Sequence, residues 1–353
     1  MSDSPSNPEP HRRRPRYKGR NPRHFHEKYK EHAPERYPED VAKVLEAGKT
    51  PAGTHRPIMV AEIVQVLAPQ PGETAVDCTL GYGGHARELL AAVQPGGRLV
   101  AVDADPIELP KTEARLRQLG FPAESLIVRR MNFAGIAKLL AEEAPGRADV
   151  LLADLGLSSM QIDDPTRGFS VKYDGPLDMR MNPARGLSVA GLLSRIDAKK
   201  LSQLLKENAD EPLAEPLAIE ILIAHEQREL ATTQELAEVI REAAARLTRQ
   251  DSDTIDDTVR RVFQALRIEV NDEFGALDTL LRQLPECLRP GGRVAILSFH
   301  SGEDRRVKRA FKQGLQAGLY ERIADECLRA SPEEQRLNPR SSPAKLRYAI
   351  RAS

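Results

Sequence analysis

From Thr54 onward the chain alternates two textures. PIMVAEIVQVLA carries apolar residues at helical spacing and stops at Pro69, whereas TAVDCT is a short apolar run of the kind a buried strand shows. GYGGH then turns the chain into the helical stretch ARELLAAV. RLVAVDAD predicts a second strand, PIELPKTEARLRQLG a helix ended by Gly120, SLIVRR a third strand and ADVLLADLG a fourth. Strands alternating with helices predict βαβ units, hence an α/β fold with a mostly parallel sheet covered on both faces.

The alternation breaks at about Gly168. Up to about Thr258 no strand candidate occurs; LSVAGLLSRI, AKKLSQLLKEN, AEPLAIEILIAHEQ and TTQELAEVIREAAARL all read as amphipathic helices, which predicts an inserted all-helical subdomain over 168–258. VFQALRIEVNDEFGALDTLLRQLPECL is helical again, VAILSF in PGGRVAILSFH predicts a fifth strand, and a helix follows from Gly302 to Lys312. AKLRYAIR alternates as an edge strand does. The α/β domain therefore spans 51–167 and 259–353, a size in keeping with 353 residues of which 40% are apolar.

Residues 1–50 show no sustained apolar period and are rich in Arg, Pro, Glu and His, which predicts a basic arm without fixed structure. A mitochondrial presequence is the competing reading; Asp3, Glu9 and the prolines at 5, 8, 10 and 15 speak against it. The 52 Lys and Arg balance 52 Asp and Glu, which excludes a wholly basic nucleic-acid coat. The charge is uneven, however. Residues 11–30 hold nine Lys or Arg and one acid, and the last 18 residues hold five basic side chains and no acid. Cys78, Cys287 and Cys327 lie far apart, which suits a reducing cytoplasm better than a disulfide framework or a zinc cluster. No run of about 18 apolar residues occurs, so no membrane span and no membrane partner are expected.

The chemistry begins at the turn Gly81-Tyr82-Gly83-Gly84-His85-Ala86, which follows a strand, opens a helix and matches G-x-G-x-x-A. Asp103 closes the next strand about 20 residues on, where a carboxylate can accept both hydroxyls of an adenosine ribose. Without a ligand, the same residues are a turn and a solvated strand end. The turn alone also permits a nicotinamide dehydrogenase. Asp77, four residues before Gly81, tilts the choice: a carboxylate there repels a pyrophosphate but pairs with the α-amino group of S-adenosylmethionine. A structural carboxylate that binds the amides of the glycine loop is its other reading.

Several stretches together resemble the ribosomal RNA small subunit methyltransferase H family. They are THRPIMVAEIV, DCTLGYGGHAREL, VDADP, LLADLGLSSMQIDDPTRGFS, DGPLDMRMNP, FQALRIEVN, ILSFHSGEDRRVKRAF and NPRSSPAKLR, and the likeness covers roughly 54–351. The resemblance implies a Rossmann-like class I methyltransferase sheet, S-adenosylmethionine as cofactor, and methylation of the N4 amine of a decoding-centre cytidine in 16S rRNA. Carried over by motif, cofactor contacts fall on Gly83, Gly84, His85, Asp103, Phe133, Asp154 and Gln161, beside Asp77 and Gly81 from the reading of the turn. Taken by themselves, Phe133 reads as core and Gln161 as loop surface.

Asp154 closes the fourth strand, and amine methyltransferases resembling this chain place an Asp or Asn there to orient the target amine. A capping carboxylate is the plainer reading. No Cys follows that strand closely, as attack on a pyrimidine C6 would require. His300, after the fifth strand, either contacts substrate and relays a proton or is held by backbone at a strand-to-helix turn. Arg305, Arg306, Lys308, Arg309 and Lys312 either grip rRNA phosphates or form a solvated face. The implied partners are small-subunit rRNA or the assembled subunit, with a homodimer left open. With aromatics at 4% and no Trp, recognition should rest on charge and RNA shape rather than stacking. The chain departs from the family pattern at Asp257-Thr258-Val259, at ADEPLAEPLA, at Gly302 and at Asn182. These lie in the substrate half, which keeps an rRNA-binding assembly factor without catalysis open as an alternative.

Overall fold

The computed structural model describes residues 57–144, 147–248 and 252–353; the expected arm over 1–50 lies outside the described residues. A first helix, α1 (Val60–Leu67), leads into β1 (Thr74–Asp77), α2 (Gly84–Ala92), β2 (Arg98–Asp103), α3 (Leu109–Arg117), β3 (Leu126–Arg130), α4 (Ile136–Glu143) and β4 (Ala148–Asp154). The strands are short, nearly continuous apolar runs, as strands buried on both faces must be. β1 pairs in parallel with β2 on one side and β4 on the other, and β2 pairs with β3.

After β4 come α5 (Ser159–Asp163), α6 (Val189–Leu193), α7 (Ala198–Ala209), α8 (Ala214–Gln227), α9 (Thr233–Thr248) and α10 (Ser252–Asn271). Side-chain oxygens of Ser188 and Asp197 cap α6 and α7 by accepting from Gly191 N and Lys200 N. Among the described residues of 168–258 there is no strand, only an isolated bridge between Pro176 and Thr232. The helices pack on a core of their own that includes Leu201, Leu205, Leu217, Ile221, Leu236 and Ile240. Val259, Val262, Phe263 and Leu266 of α10 belong to the same core, so the helical body runs through residue 258 to the end of that helix.

α11 (Glu273–Cys287) returns to the sheet, followed by β5 (Leu288–Ser298), α12 (Ser301–Gln316), β6 (Tyr320–Ile323), α13 (Pro332–Leu337) and β7 (Lys345–Arg351). The sheet order is β3-β2-β1-β4-β5-β7-β6, parallel from β3 to β5. One face buries α1, α2 and α3 through Ile63, Leu89 and Leu116; the other buries α4, α11 and α12 through Leu139, Leu280 and Phe311. This is the Rossmann-like class expected, with a helical insertion. The edge placement of AKLRYAIR is corrected: β7 lies inside the sheet, antiparallel to both β5 and β6, and β6 takes the edge. YERI has one buried residue, Tyr320, and three more exposed ones, too weak a pattern to mark a strand. No helix of the described residues is long and apolar enough to cross a membrane. Cys78, Cys287 and Cys327 are free thiols, the first two buried.

Candidate functional site

Three neighbouring parallel strands end in aspartate, β1 in Asp77, β2 in Asp103 and β4 in Asp154. From β1 the chain winds outward to β2 and β3, then returns to β4 on the other side, so Asp77 and Asp154 flank the switch point where open α/β sheets take ligands.

The glycine turn is pinned to this rim. Leu80 N donates to Val102 O at 2.9 Å and Gly83 N to Leu80 O at 2.7 Å. Gly83 caps α2 at φ 76°, a left-handed conformation that a side chain would strain, and a Cβ there would lie 2.9 Å from Thr112 Cγ2. On Gly84 a Cβ would lie 2.2 Å from Pro57 Cγ. Asp103 organises the turn: its Oδ2 accepts from Gly81 N at 2.7 Å and its Oδ1 from Asp105 N at 2.8 Å. Each oxygen keeps a second lone pair for a hydroxyl. Burial pushes the Asp103 carboxyl up, against the pull of the Asp105 and Gly81 amides.

Asp77 is fully enclosed, and its Oδ1 accepts from Thr79 N at 3.0 Å. Burial pushes its carboxyl up to about 6, against the Thr79 amide and His85 and helped by the negative charges of Asp154 and Asp103. Thr79 also ties β1 to β4, because its Oγ1 accepts from Asp154 N at 2.7 Å. The Asp154 side chain, 29% exposed, places Oδ2 3.5 Å from His85 Nε2. Its Oδ1 is buried and has no hydrogen-bond partner among the described residues, and the same holds for His85 Nε2. Burial by itself disfavours the charged imidazole of His85; Asp154, then Asp77 and Glu334, outweigh it and raise the His85 pKa.

Gln161 joins through a residue that sequence reasoning missed. It forms a capping box at α5, with Ser158 Oγ accepting from Gln161 N at 3.2 Å and Gln161 Oε1 accepting from Ser158 N at 2.9 Å. Its Nε2 donates to Asp105 Oδ2 at 2.7 Å. Arg167 Nη1 donates to the same oxygen at 2.9 Å, and Arg167 Nη2 to Met181 O at 2.8 Å. The buried Asp105–Arg167 pair thus links the exit of β2 to α5 and to the DMRM stretch. Its only sequence signal was an acid two residues beyond Asp103. Phe133 stands in the turn after β3, half-buried on the core, two residues past Met131, whose N donates to Asp103 O at 2.9 Å.

His300 follows β5 on the same rim, one strand beyond Asp154. The structure turns its imidazole, 12% exposed, onto the first turn of α12, with Nε2 3.2 Å from Glu303 Oε1 and its ring 5.7 Å from that of Phe274. Glu303 is buried; burial raises its carboxyl pKa, and His300, the Phe299 amide and Arg267 reverse that and lower it. Glu273, His300 and Glu303 bring three potential metal ligands within 4.8 Å of one another, but Arg267 already occupies both oxygens of Glu273 at 2.8 and 2.9 Å. Of the basic residues that follow, Arg305 is bound to Asp210 at 2.8 and 3.1 Å and Arg306 lies 3.5 Å over the Phe274 ring, while Lys308, Arg309 and Lys312 are exposed.

Asp77, Gly81, Gly83, Gly84, His85, Asp103, Asp154 and Gln161 therefore form one connected cluster, with Phe133 and His300 at its margins. A family model described as the MraW methylase family matches residues 52–352. The chain is 48% identical over 349 residues to "Ribosomal RNA small subunit methyltransferase H 1" of Lachnoclostridium phytofermentans, covering 98% of this chain and 95% of that protein. It is 47% identical to "Ribosomal RNA small subunit methyltransferase H 2" of Alkaliphilus metalliredigens, over 98% of this chain and 99% of that one. A protein of Acidobacterium capsulatum, "Ribosomal RNA small subunit methyltransferase H", is 40% identical over 84% of this chain and 97% of its own. With the glycine turn, the three strand-end aspartates and the matches running along nearly the whole of these sequences, the chain belongs to the MraW methylase family.

Proposed function

We propose that the protein methylates the exocyclic N4 amine of a decoding-centre cytidine in small-subunit rRNA, with S-adenosylmethionine as methyl donor, in the cytoplasm. One observation carries the reading: at the switch point, beside the glycine turn, Asp154 presents a buried oxygen that no described group satisfies. Such an oxygen is costly unless a donor arrives, and an amine is a donor.

The residues present fit this cofactor. Asp103 has lone pairs left for the two ribose hydroxyls, Gly81, Gly83 and Gly84 allow close approach, Gln161 is bonded to Asp105, and Phe133 follows β3 beside the Asp103 strand end. Asp77 faces the position of a cationic amino group. Three carboxylates along one rim of the sheet favour a ligand bearing a cation and disfavour a dinucleotide pyrophosphate. When bound, S-adenosylmethionine supplies a methyl carbon on a sulfonium, whose sulfur keeps the bond's electron pair as the methyl leaves. Asp154 Oδ1 accepts a hydrogen bond from the N4 amine, aligns its delocalised lone pair and takes the proton that nitrogen gives up. Alignment of this kind accounts for much of the rate when no covalent intermediate is needed. Among the described residues no thiol stands on this rim apart from Cys78, which is buried and pushed far up by burial, so C5 chemistry through a thiolate finds no nucleophile there.

Three of the four departures in the substrate half have structural accounts, which favours an enzyme over an assembly factor without catalysis. Thr258 and Val259 are buried in the helical core. A Cβ on Gly302 would lie 2.6 Å from Phe274 Cζ, so the ring of Phe274 fills the place of a larger side chain. Asn182 accepts from Ala184 N at 3.1 Å and shapes its turn. The target base must leave its stack to reach Asp154.

Asp154→Ala is expected to keep the fold and lose turnover by ~100-fold or more, the size of removing a group that acts in the transition state; normal turnover would remove it from the site. In cells lacking the gene, mass spectrometry of small-subunit rRNA is expected to show loss of N4-methylcytidine, and an unchanged level would overturn the reading.

A further inference from the structure

We infer that His85 is a positioning residue for Asp154: its imidazole Nε2 holds Oδ2 of the carboxylate, which turns Oδ1 towards the substrate amine. The inference rests on the N4-methylation reading above and assigns His85 a task distinct from contact with the methyl donor.

The geometry supplies the argument. The backbone of Asp154 is fixed by the hydrogen bond from its N to Thr79 Oγ1 at 2.7 Å, so the remaining freedom is rotation of the carboxylate. On one side of that carboxylate lies His85 Nε2, 3.5 Å from Oδ2, in ion-pair range and longer than a hydrogen bond. On the other side Oδ1 is buried without a partner among the described residues. His85 itself cannot swing away. It stands in the first turn of α2, whose Ala86, Leu89 and Leu90 are packed in the core, and its side chain is nearly enclosed. The groups that raise its pKa are Asp154 from β4, Asp77 from β1 and Glu334 from α13, all acidic. They favour the imidazolium, a charge-assisted donor that makes shorter and stronger bonds than a neutral one. A small closure of the 3.5 Å gap turns this approach into such a bond, and the carboxylate then has one oxygen committed to His85 and one for the amine.

The test uses the full chain as wild type, His85→Ala, His85→Gln and Asp154→Asn. Calorimetry reads S-adenosylmethionine affinity, steady-state assays on small-subunit rRNA read kcat and KM, and NMR reads the titration of the His85 ring without donor or RNA. His85→Ala is expected to lower kcat at saturating donor by ~100-fold, the effect of a reacting group misplaced by about 1 Å, a loss well beyond any fall in donor affinity. Gln, which keeps a side-chain N–H, is expected to recover most of that loss. In Asp154→Asn the His85 titration midpoint is expected to fall. Donor affinity falling in step with turnover, Gln no better than Ala, or an unmoved His85 midpoint would each overturn the inference. Wild-type protein that places the methyl on another atom would instead sink the N4 reading, and the NMR midpoint would still decide whether His85 and Asp154 act as a pair.

Discussion

Asp77 shows how burial can set a side chain against stability at the very position where the proposed donor site needs its charge. Its folded-state pKa of about 6 stands above the ordinary 3.8 because it is buried. Between those values the folded chain holds a proton that the unfolded chain has released, so stability falls as pH rises through that window and stays lower above it. Asp77→Asn keeps an oxygen for the Thr79 amide and removes the charge; it should raise stability at neutral pH by about 1–3 kcal/mol, measured by urea unfolding. The same variant should weaken S-adenosylmethionine binding. In the wild type, donor affinity should climb with pH up to about 6, where Asp77 ionises and can pair with the donor's amino group, and then level off. Calorimetry across that range checks the slope, and Asp77→Asn should flatten it. Asp103→Ala should cost about 10- to 100-fold in the same affinity, the worth of charge-assisted bonds to two hydroxyls. Asp103 and Asp154 were legible in sequence because strand ends and a glycine turn fix their spacing. Asp105 and Arg167 were not: they meet across 62 residues, and nothing local to either announces the other.

At the scale of elements, that pair joins three pieces of chain, the exit of β2, the start of the insertion and the DMRM stretch. Both side chains are almost wholly enclosed, at 2% and 7% exposure. Removing one partner leaves a buried charge alone, so Arg167→Ala should destabilise by about 3–5 kcal/mol in urea unfolding. Arg305→Ala, which breaks an exposed pair with Asp210, should change stability by less than about 1 kcal/mol. The parallel strands could be read from sequence because each is a continuous apolar run between helical periods. β6 could not, since a strand with one buried residue has no hydrophobic signature, and without it β7 looked like an edge. The end of the helical body is hard to read for a related reason. α10 faces the helical core from Val259 to Leu266 with the same amphipathic period that the following helix presents to the sheet, and periodicity does not say which core a face will join.

For the whole molecule, zero formal charge conceals a surface of mixed sign, and RNA binding has to rely on local groups. Lys308, Arg309 and Lys312 are exposed on α12, the helix that leaves the rim at His300. Replacing Lys308 and Arg309 by Glu should weaken rRNA binding while leaving donor affinity intact. It should also flatten the plot of log affinity against log salt by about 0.7–0.9 for each phosphate that is no longer neutralised. Filter-binding titrations at several salt concentrations would read both, and an unchanged slope would show the face to be solvated only.

The inward position of β7 also bears on how the chain is made. β5 is synthesised well before the strand that covers its outer edge, with 46 residues between Ser298 and Lys345. At roughly 5–20 residues per second the ribosome takes some 2–10 seconds to add them. For that interval the backbone of VAILS has an open side, a template for pairing with another chain. A nascent copy on a crowded polysome is therefore most exposed to misassembly late in its translation, after β1 to β4 have all been made.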